Sequence, residues 1–78
     1  MGKFSAVLDR RDIGSALDQI FSEIEDGISS EDLTEQVNTL VEPDYEKRDV
    51  TSALNELRDR EYVTGYIEDG KFYWELQD

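Results

Sequence analysis

Cysteine and histidine are absent from this chain of 78 residues, and proline occurs once. Without thiols and imidazoles, the chain forms no disulfide bond and holds no metal through thiolate or imidazole ligands. The same absence makes an enzyme a poor candidate. A hard-cation site in the carboxylate clusters at 23–26 and 31–35 would lack EF-hand spacing, and we interpret both clusters as solvated helix faces. We predict no cofactor and no metal.

Long apolar stretches are also absent. No run of residues approaches the length that spans a bilayer, and no hydrophobic region of a signal peptide is visible. We therefore expect a soluble cytoplasmic protein. The length allows one domain, and the 37% of hydrophobic residues is enough for one small core.

Basic residues are scarce. Eight Lys and Arg residues stand against 20 Asp and Glu residues, which gives a formal net charge of −12. An acidic excess normally argues against a polyanionic partner, because phosphate contacts need Lys and Arg. The composition, with only Lys3, Lys47 and Lys71, resembles that of haloarchaeal cytoplasmic proteins. In about 1 M salt the Debye length is only ~3 Å, so the self-repulsion of such a chain is screened.

Apolar residues recur at helical spacing after the first dozen residues and predict a half-buried helix. They are Ile13, Leu17, Ile20, Phe21 and Ile24. Asp9 or Asp12 is the natural N-cap, and Gly27 is expected to end the helix in the left-handed conformation. Residues 1–9, before this helix, are predicted to be a tail or lead-in.

A second helix is predicted to begin after Ser29, whose hydroxyl can accept the amide N–H of Asp32. Its buried stripe continues through Leu33, Val37, Leu40 and Val41. The residues around Ile28 are expected to form a short strand that pairs with a C-terminal hairpin. Pro43 disfavours helix at the residue before it, so a third helix follows after a short connection, as in a helix-turn-helix.

The third helix is predicted to begin between residues 44 and 46 and to end near Arg60. Its inner face consists of Val50, Ala53, Leu54 and Leu57. Its outer face presents Lys47, Arg48, Thr51, Ser52, Asn55 and Arg58. Side chains of these types read base edges and contact phosphates, although any surface helix has a polar outer face.

Asp69-Gly70, between two β-rich runs, predicts a hairpin with a two-residue type I′ turn. One face then holds the pairs Ile67–Phe72, Gly65–Trp74 and Val63–Leu76, and the other holds Tyr66–Tyr73 and Thr64–Glu75. The first face is apolar, so register and hydrophobic pattern agree. Trp74 is expected to pack onto the helices, where its indole N–H needs a partner. The tyrosine pair is expected to stabilise the sheet or, alternatively, to offer a contact surface.

The order helix, short strand, helix, helix, hairpin resembles that of the winged helix-turn-helix domain over residues 10–77. The segment 49–64, DVTSALNELRDREYVT, is similar to the recognition helix and first wing strand of such regulators. The predicted fold class is therefore α+β, with three helices, a short first strand and a C-terminal two-stranded wing. Two features depart from the family pattern: Glu61 stands where many members have Gly, and the wing tip at 68–71 is net negative.

The resemblance implies binding to double-stranded DNA, as a small transcription regulator or chromatin-associated factor. The third helix would enter the major groove, with Arg48, Thr51, Ser52 and Asn55 nearest the bases. The phosphates would be contacted by Lys47, Arg58, Arg10 and Arg11, and Lys71 would be the only cation of the wing. Because cations are few, a homodimer or a protein partner would have to add affinity.

Charge is unevenly distributed along the chain. Residues 1–11 carry +2 and residues 43–60 carry −1, whereas residues 12–42 carry −9. Bases concentrated in the N-terminal lead and the third helix are expected of an acid-coated DNA-binding protein. The alternative is a winged-helix protein–protein interaction module, in which the acidic first and second helices dock a basic partner.

The charge generates a prediction about salt. Thermal unfolding followed by circular dichroism should give a higher midpoint in molar salt than at low ionic strength, because salt screens the repulsion among acids of the first two helices. Equal midpoints in both conditions would refute salt adaptation as the reason for the charge of −12.

Overall fold

A computed structural model describes residues 3–41 and 44–77. Within these ranges the chain is a mixed α+β protein of four helices and a three-stranded antiparallel sheet with a C-terminal hairpin. The elements are α1 (Lys3–Val7), α2 (Arg11–Glu23), β1 (Ile28–Ser29), α3 (Ser30–Leu40), α4 (Lys47–Asp59), β2 (Val63–Glu68) and β3 (Lys71–Leu76). The predicted α+β class is confirmed, but the predicted number of three helices is wrong.

The additional helix, α1, lies where a tail or lead-in was expected. Phe4 and Leu8 are buried in the core, and the Phe4 ring packs edge-on against Phe21 with centroids 5.9 Å apart. The carboxylate of Asp18 on α2 accepts the backbone N–H groups of Phe4 and Ser5 at 3.1 and 3.2 Å. This side chain therefore supplies the acceptors that a helix N-terminus lacks.

The ends of α2 differ from the prediction. Arg10 occupies the N-cap position and makes no side-chain cap, whereas Asp12 accepts the amide of the next residue. The helix ends at Glu23, with Ile24 in extended conformation as its C-cap. Gly27 is not in the left-handed region; instead, a Cβ there would collide with the hydroxyl of Tyr66. The end of the Tyr66 side chain occupies the space that a Cβ would need, so a larger residue at position 27 would displace that side chain.

Helix α3 begins as its sequence predicts, whereas α4 begins at Lys47, one residue after the predicted range of 44–46. The Ser29 hydroxyl accepts the Asp32 amide at 3.2 Å, which confirms the predicted cap of α3. At the start of α4, Glu46 and Asp49 each accept the backbone N–H of the other and form a capping box. Carboxylates in the first turn also interact favourably with the helix dipole.

The hairpin register is confirmed at every pair from Val63–Leu76 to Glu68–Lys71. The strand order is β1-β3-β2, and Ile28 of β1 lies opposite Trp74 of β3. Trp74 is 1% exposed, and its indole N–H donates to the Ser30 hydroxyl at 2.8 Å. The partner that this indole needed is therefore the first residue of α3.

The apolar face of the hairpin is only partly covered. Val63 and Trp74 are buried beneath the helices, but Ile67, Phe72 and Leu76 are 72%, 37% and 44% exposed. On the opposite face Tyr66 and Tyr73 stack with ring centroids 5.6 Å apart, as expected for a pair that stabilises the sheet. The hairpin thus extends beyond the helical layer and carries apolar side chains into solvent.

The connection from α4 to β2 places Glu61 in the left-handed region, with φ of 65°. The Glu61 amide donates to the carbonyl of Arg58 and the Tyr62 amide to that of Leu57. This pair of bonds is the Schellman arrangement that ends a helix, and glycine is the residue that normally occupies the left-handed position. A side chain there costs about 1–2 kcal/mol.

We predict that Glu61→Gly raises the free energy of unfolding by up to about 1 kcal/mol, because relief of the left-handed strain exceeds the added entropy of the unfolded chain. Urea denaturation measures the change. The matched control is Arg60→Gly, at a φ of −93°, which should lower stability by about 0.5–1 kcal/mol. A loss of stability in Glu61→Gly would contradict the assignment of strain to this residue.

Candidate nucleic-acid interface

The nine predicted site residues lie on or beside three elements, α2, α4 and β3. Arg10 and Arg11 are at the start of α2, and Lys71 begins β3 at the hairpin turn. The other six lie on α4. The first turn of α4 contacts the start of α2 through the Arg10–Asp49 ion pair and the first turn of α3 through Lys47 and Glu31.

Arg10 joins α2 to α4. Its guanidinium contacts the Asp49 carboxylate at 3.2 Å and lies 5.5 Å from the centroid of the Tyr45 ring. The Tyr45 hydroxyl donates to Asp12 at 2.6 Å, which is a second link to α2. The backbone of Tyr45 is held in turn by the side-chain amide of Asn38, through two hydrogen bonds of 2.8 Å. This network fixes the angle between α2 and the first turn of α4.

Lys47 and Lys71 lie on a common cleft. It has a volume of about 230 Å³ and is lined by Ser29, Ser30, Glu31, Lys47, Gly70, Lys71 and Phe72. Lys47 is the first residue of α4, and Lys71 is the first residue of β3. Both thus line the cleft beside the N-terminus of α3, where the backbone N–H groups carry partial positive charge. Glu31 projects from the same turn and lies 4.0 Å from the Lys47 ammonium group. The cleft is therefore mixed in charge, with two cations and one anion.

The outer face of α4 is solvated. The Arg48 side chain is 84% exposed and contacts the Glu46 carboxylate at 2.7 Å. Ser52 is exposed, whereas Thr51 and Asn55 are half-buried. Ser52 also lines a second cleft, between the α1–α2 connection and α4, with Asp49 and Glu56. The four residues predicted to read bases therefore share one helix. Ser52 lies beside two carboxylates of that helix, those of Asp49 and Glu56.

Arg58 and Arg11 are separate from the cleft. The guanidinium of Arg58 lies 5.9 Å from the centroid of Trp74, an arrangement that allows a cation–π interaction. Arg11 is exposed at the first position of α2. The structure consequently places Lys47 and Lys71 on one cleft, pairs Arg10 with Asp49 outside it, and leaves Arg58 near the C-terminal end of α4.

Sequence reasoning did not find the part played by Tyr45, Asp12 and Asn38. All three position α2, α3 and α4 relative to one another, but their partners are distant along the chain. One signal was available: Tyr45 is an aromatic residue within a short polar connection, where a buried contact is the usual explanation.

Electrostatics in the network shift two pKa values. The hydrogen bond to Asp12 raises the pKa of Tyr45, with smaller contributions from burial and from the carboxylate charge. The pKa of Asp49 is lowered, first because it accepts the Glu46 backbone N–H and then because Arg10 lies beside it. The charged form of Asp49 is thus the one that the folded protein stabilises.

The rest of the described chain offers few other sites. Among residues 3–41 and 44–77 there is no group of three or more carboxylates placed to hold a metal ion. Over the same ranges no helix has both the length and the apolar character needed to cross a membrane.

Comparison with known proteins finds no matching family model, and no curated protein or solved structure matches the chain at a significant level.

The depressed pKa of Asp49 predicts a pH effect on stability. The stabilisation from this carboxylate is present above its ordinary pKa of 3.8 and is lost as the pH falls through the lower pKa of the folded state. Asp49→Asn should therefore lower stability near neutral pH and reduce the loss of stability below about pH 4. Thermal unfolding across the acid range tests this, and NMR titration of the carboxyl group gives its pKa directly.

Arg10→Gln separates the two causes of this shift. The pKa of Asp49 should rise part of the way toward its ordinary value, because the Glu46 N–H still donates to it. Asp59→Asn, at the exposed end of α4, is the matched control and should leave the pKa of Asp49 lowered, because Asp59 is not among the groups that shift it. A pKa of Asp49 at or above the ordinary value would contradict the observed geometry.

Proposed function

We propose that the chain is a winged-helix protein that binds double-stranded DNA, as a small transcription regulator or chromatin-associated factor. The observation that carries the proposal is the shared cleft of Lys47 and Lys71. A helix and a hairpin tip each contribute a cation to one surface beside the N-terminus of α3. Helix N-termini and lysines are the groups that bind phosphate oxygens.

The order of the elements also supports the proposal. The sequence of elements α2, β1, α3, α4 and the β2–β3 hairpin is the order expected of a winged helix. In that arrangement α4 would lie in the major groove, with Arg48, Thr51, Ser52 and Asn55 toward the bases. The hairpin tip, with Lys71, would lie along the backbone of the duplex.

Intramolecular carboxylates would compete with DNA phosphates for three of the predicted cations. Arg10, Lys47 and Arg48 each contact a carboxylate, on Asp49, Glu31 and Glu46 respectively. A phosphate would have to replace or share these partners. All three pairs are at least partly exposed, and exposed ion pairs stabilise a folded protein little, so their exchange for a phosphate costs little. The net charge of −12 nevertheless predicts weak binding that salt affects strongly.

Binding of a random-sequence duplex, followed by fluorescence anisotropy at several salt concentrations, tests this function. Lys47→Gln and Lys71→Gln should each weaken binding to all sequences alike and reduce the slope of log K against log salt by about 1. Arg60→Gln is the matched control, because it removes one exposed cation at the C-terminal end of α4. Its slope should equal that of the unaltered protein.

Two results would contradict the proposal. One is absence of binding even at low salt, where counterion release is most favourable. The other is binding that Lys47→Gln, Lys71→Gln and Arg60→Gln weaken equally, since this would indicate general charge attraction without a defined surface.

A second candidate is a protein–protein module that docks a basic partner. It is supported by the exposed carboxylates at the end of α2 and along α3, which are those of Glu23, Glu25, Asp26, Asp32 and Glu35. Within the described residues none of these five forms an ion pair. NMR titration distinguishes the candidates: DNA should shift the amides of Lys47, Arg48 and Asn55, whereas a basic partner should shift those of residues 12–41.

A further inference from the structure

The hairpin face opposite the core carries two aromatic rings side by side. Its side chains alternate along the strands with the buried Val63 and Trp74, and we refer to it as the tyrosine face. It consists of Thr64, Tyr66, Glu68, Lys71, Tyr73 and Glu75. Tyr66 and Tyr73 lie outside the core, are half-buried and stack with an angle of 13° between their planes. The two rings thus form one aromatic surface that remains partly open to solvent.

Carboxylates surround these rings. Glu68 and Glu75 belong to the cross-strand pairs on either side of the tyrosine pair. Asp26 precedes Gly27, the residue against which the hydroxyl end of Tyr66 lies. The pKa of Tyr66 is raised first by burial and then by nearby negative charges, which include all three carboxylates. The three acids are therefore close enough to Tyr66 to act on it electrostatically.

The chain supplies no cation to this surface within the residues that the structure describes. Over 3–41 and 44–77, Asp26, Glu68 and Glu75 form no ion pair, and no Lys or Arg lies over either tyrosine ring. The one base on the face, Lys71, lies at the turn and lines the cleft with Lys47. The tyrosine face thus gathers groups that attract a cation but have none of their own.

Elsewhere in the same chain, these two kinds of group hold an arginine. The Arg10 guanidinium lies 3.2 Å from the Asp49 carboxylate and 5.5 Å from the centroid of the Tyr45 ring. A planar guanidinium can stack on an aromatic ring and donate to a carboxylate at the same time, whereas the compact ammonium group of lysine matches this arrangement less well. The tyrosine face therefore offers the chemistry of the Arg10 site without its guanidinium.

We propose that the tyrosine face binds an arginine-rich segment of a partner protein. Its guanidinium groups would stack on Tyr66 and Tyr73 and donate hydrogen bonds to the surrounding carboxylates. Charge complementarity selects this occupant: phosphates and a second copy of a chain of net charge −12 would both be repelled by the same acids. This surface is separate from the cleft of Lys47 and Lys71, so the proposal goes beyond binding of DNA.

NMR titration of the full chain with a peptide of alternating glycine and arginine tests the proposal. The solution contains about 1 M salt, where the Debye length is only ~3 Å and general attraction to the net charge is screened. The amides of Tyr66, Tyr73 and Glu75 should shift. A glycine–lysine peptide of equal length should bind about two- to fivefold more weakly, because it loses the stacking of a planar group. Shifts confined to residues 12–41, or equal affinity for both peptides, would overturn the proposal.

Two variants separate the ring from the charge. Glu75→Gln should weaken binding of the arginine peptide about two- to fivefold, whereas the matched control Glu35→Gln, an equal change of charge on the exposed face of α3, should leave it unaltered. Tyr73→Leu keeps an apolar side chain on β3 but should abolish the preference for arginine over lysine. Its dispersed amide spectrum confirms folding, and Glu75→Gln gives the answer independently if that variant unfolds. Equal weakening by Glu75→Gln and Glu35→Gln would refute a defined site.

Discussion

Burial of Trp74 is the constraint on which the rest of the structure depends. The residue lies opposite Ile28 in the sheet and donates its indole N–H to Ser30, at the start of α3. The Phe72 ring packs over it at 4.9 Å, and both rings fill the space left by Gly65. One side chain thus fixes the sheet to the helical layer and orients the hairpin. A buried indole without an acceptor would cost about 1–3 kcal/mol, so the position of α3 is tied to that of β3.

The candidate interface follows from this arrangement. Because β3 is fixed beside the N-terminus of α3, the hairpin turn brings Lys71 toward the same cleft as Lys47. The hydrogen bond of Tyr45 to Asp12 and the ion pair of Arg10 with Asp49 hold the start of α2 against the first turn of α4. Cations that are far apart in the chain are consequently placed on adjoining surfaces by contacts in which few of them take part. The proposed DNA-binding surface therefore depends on residues, such as Trp74 and Tyr45, that are not themselves part of it.

Much of the fold was predictable because its signals are local. The alternation of the two hairpin strands and the Asp69-Gly70 turn determine the register, and every predicted pair is present. The Ser29 cap depends on residues three positions apart and is also confirmed. For the candidate site, the sequence identified α4 as the element with a polar outer face. It did not identify which cations would meet, since that depends on how separate elements pack.

The failures have the same physical origin. Helix α1 was missed because five residues carry too little periodicity to predict a helix that is held by Asp18 and by packing against Phe21. Gly14 within α2 was a sign of the close packing of α1, because a Cβ at this position would lie 2.7 Å from the Cα of Ser5. Gly27 was assigned to helix capping, whereas it lies outside the left-handed region and its Cβ position is occupied by the hydroxyl of the distant Tyr66.

The amino-acid sequence by itself determined the presence of α2, α3 and α4, the hairpin register and the burial of Trp74, because these follow from spacings of two, three and four residues. Only the tertiary structure decided the docking of α1, the cleft shared by Lys47 and Lys71, and the exposure of Ile67 beyond the helices. These three features depend on where one element ends relative to another, and no local pattern encodes that distance.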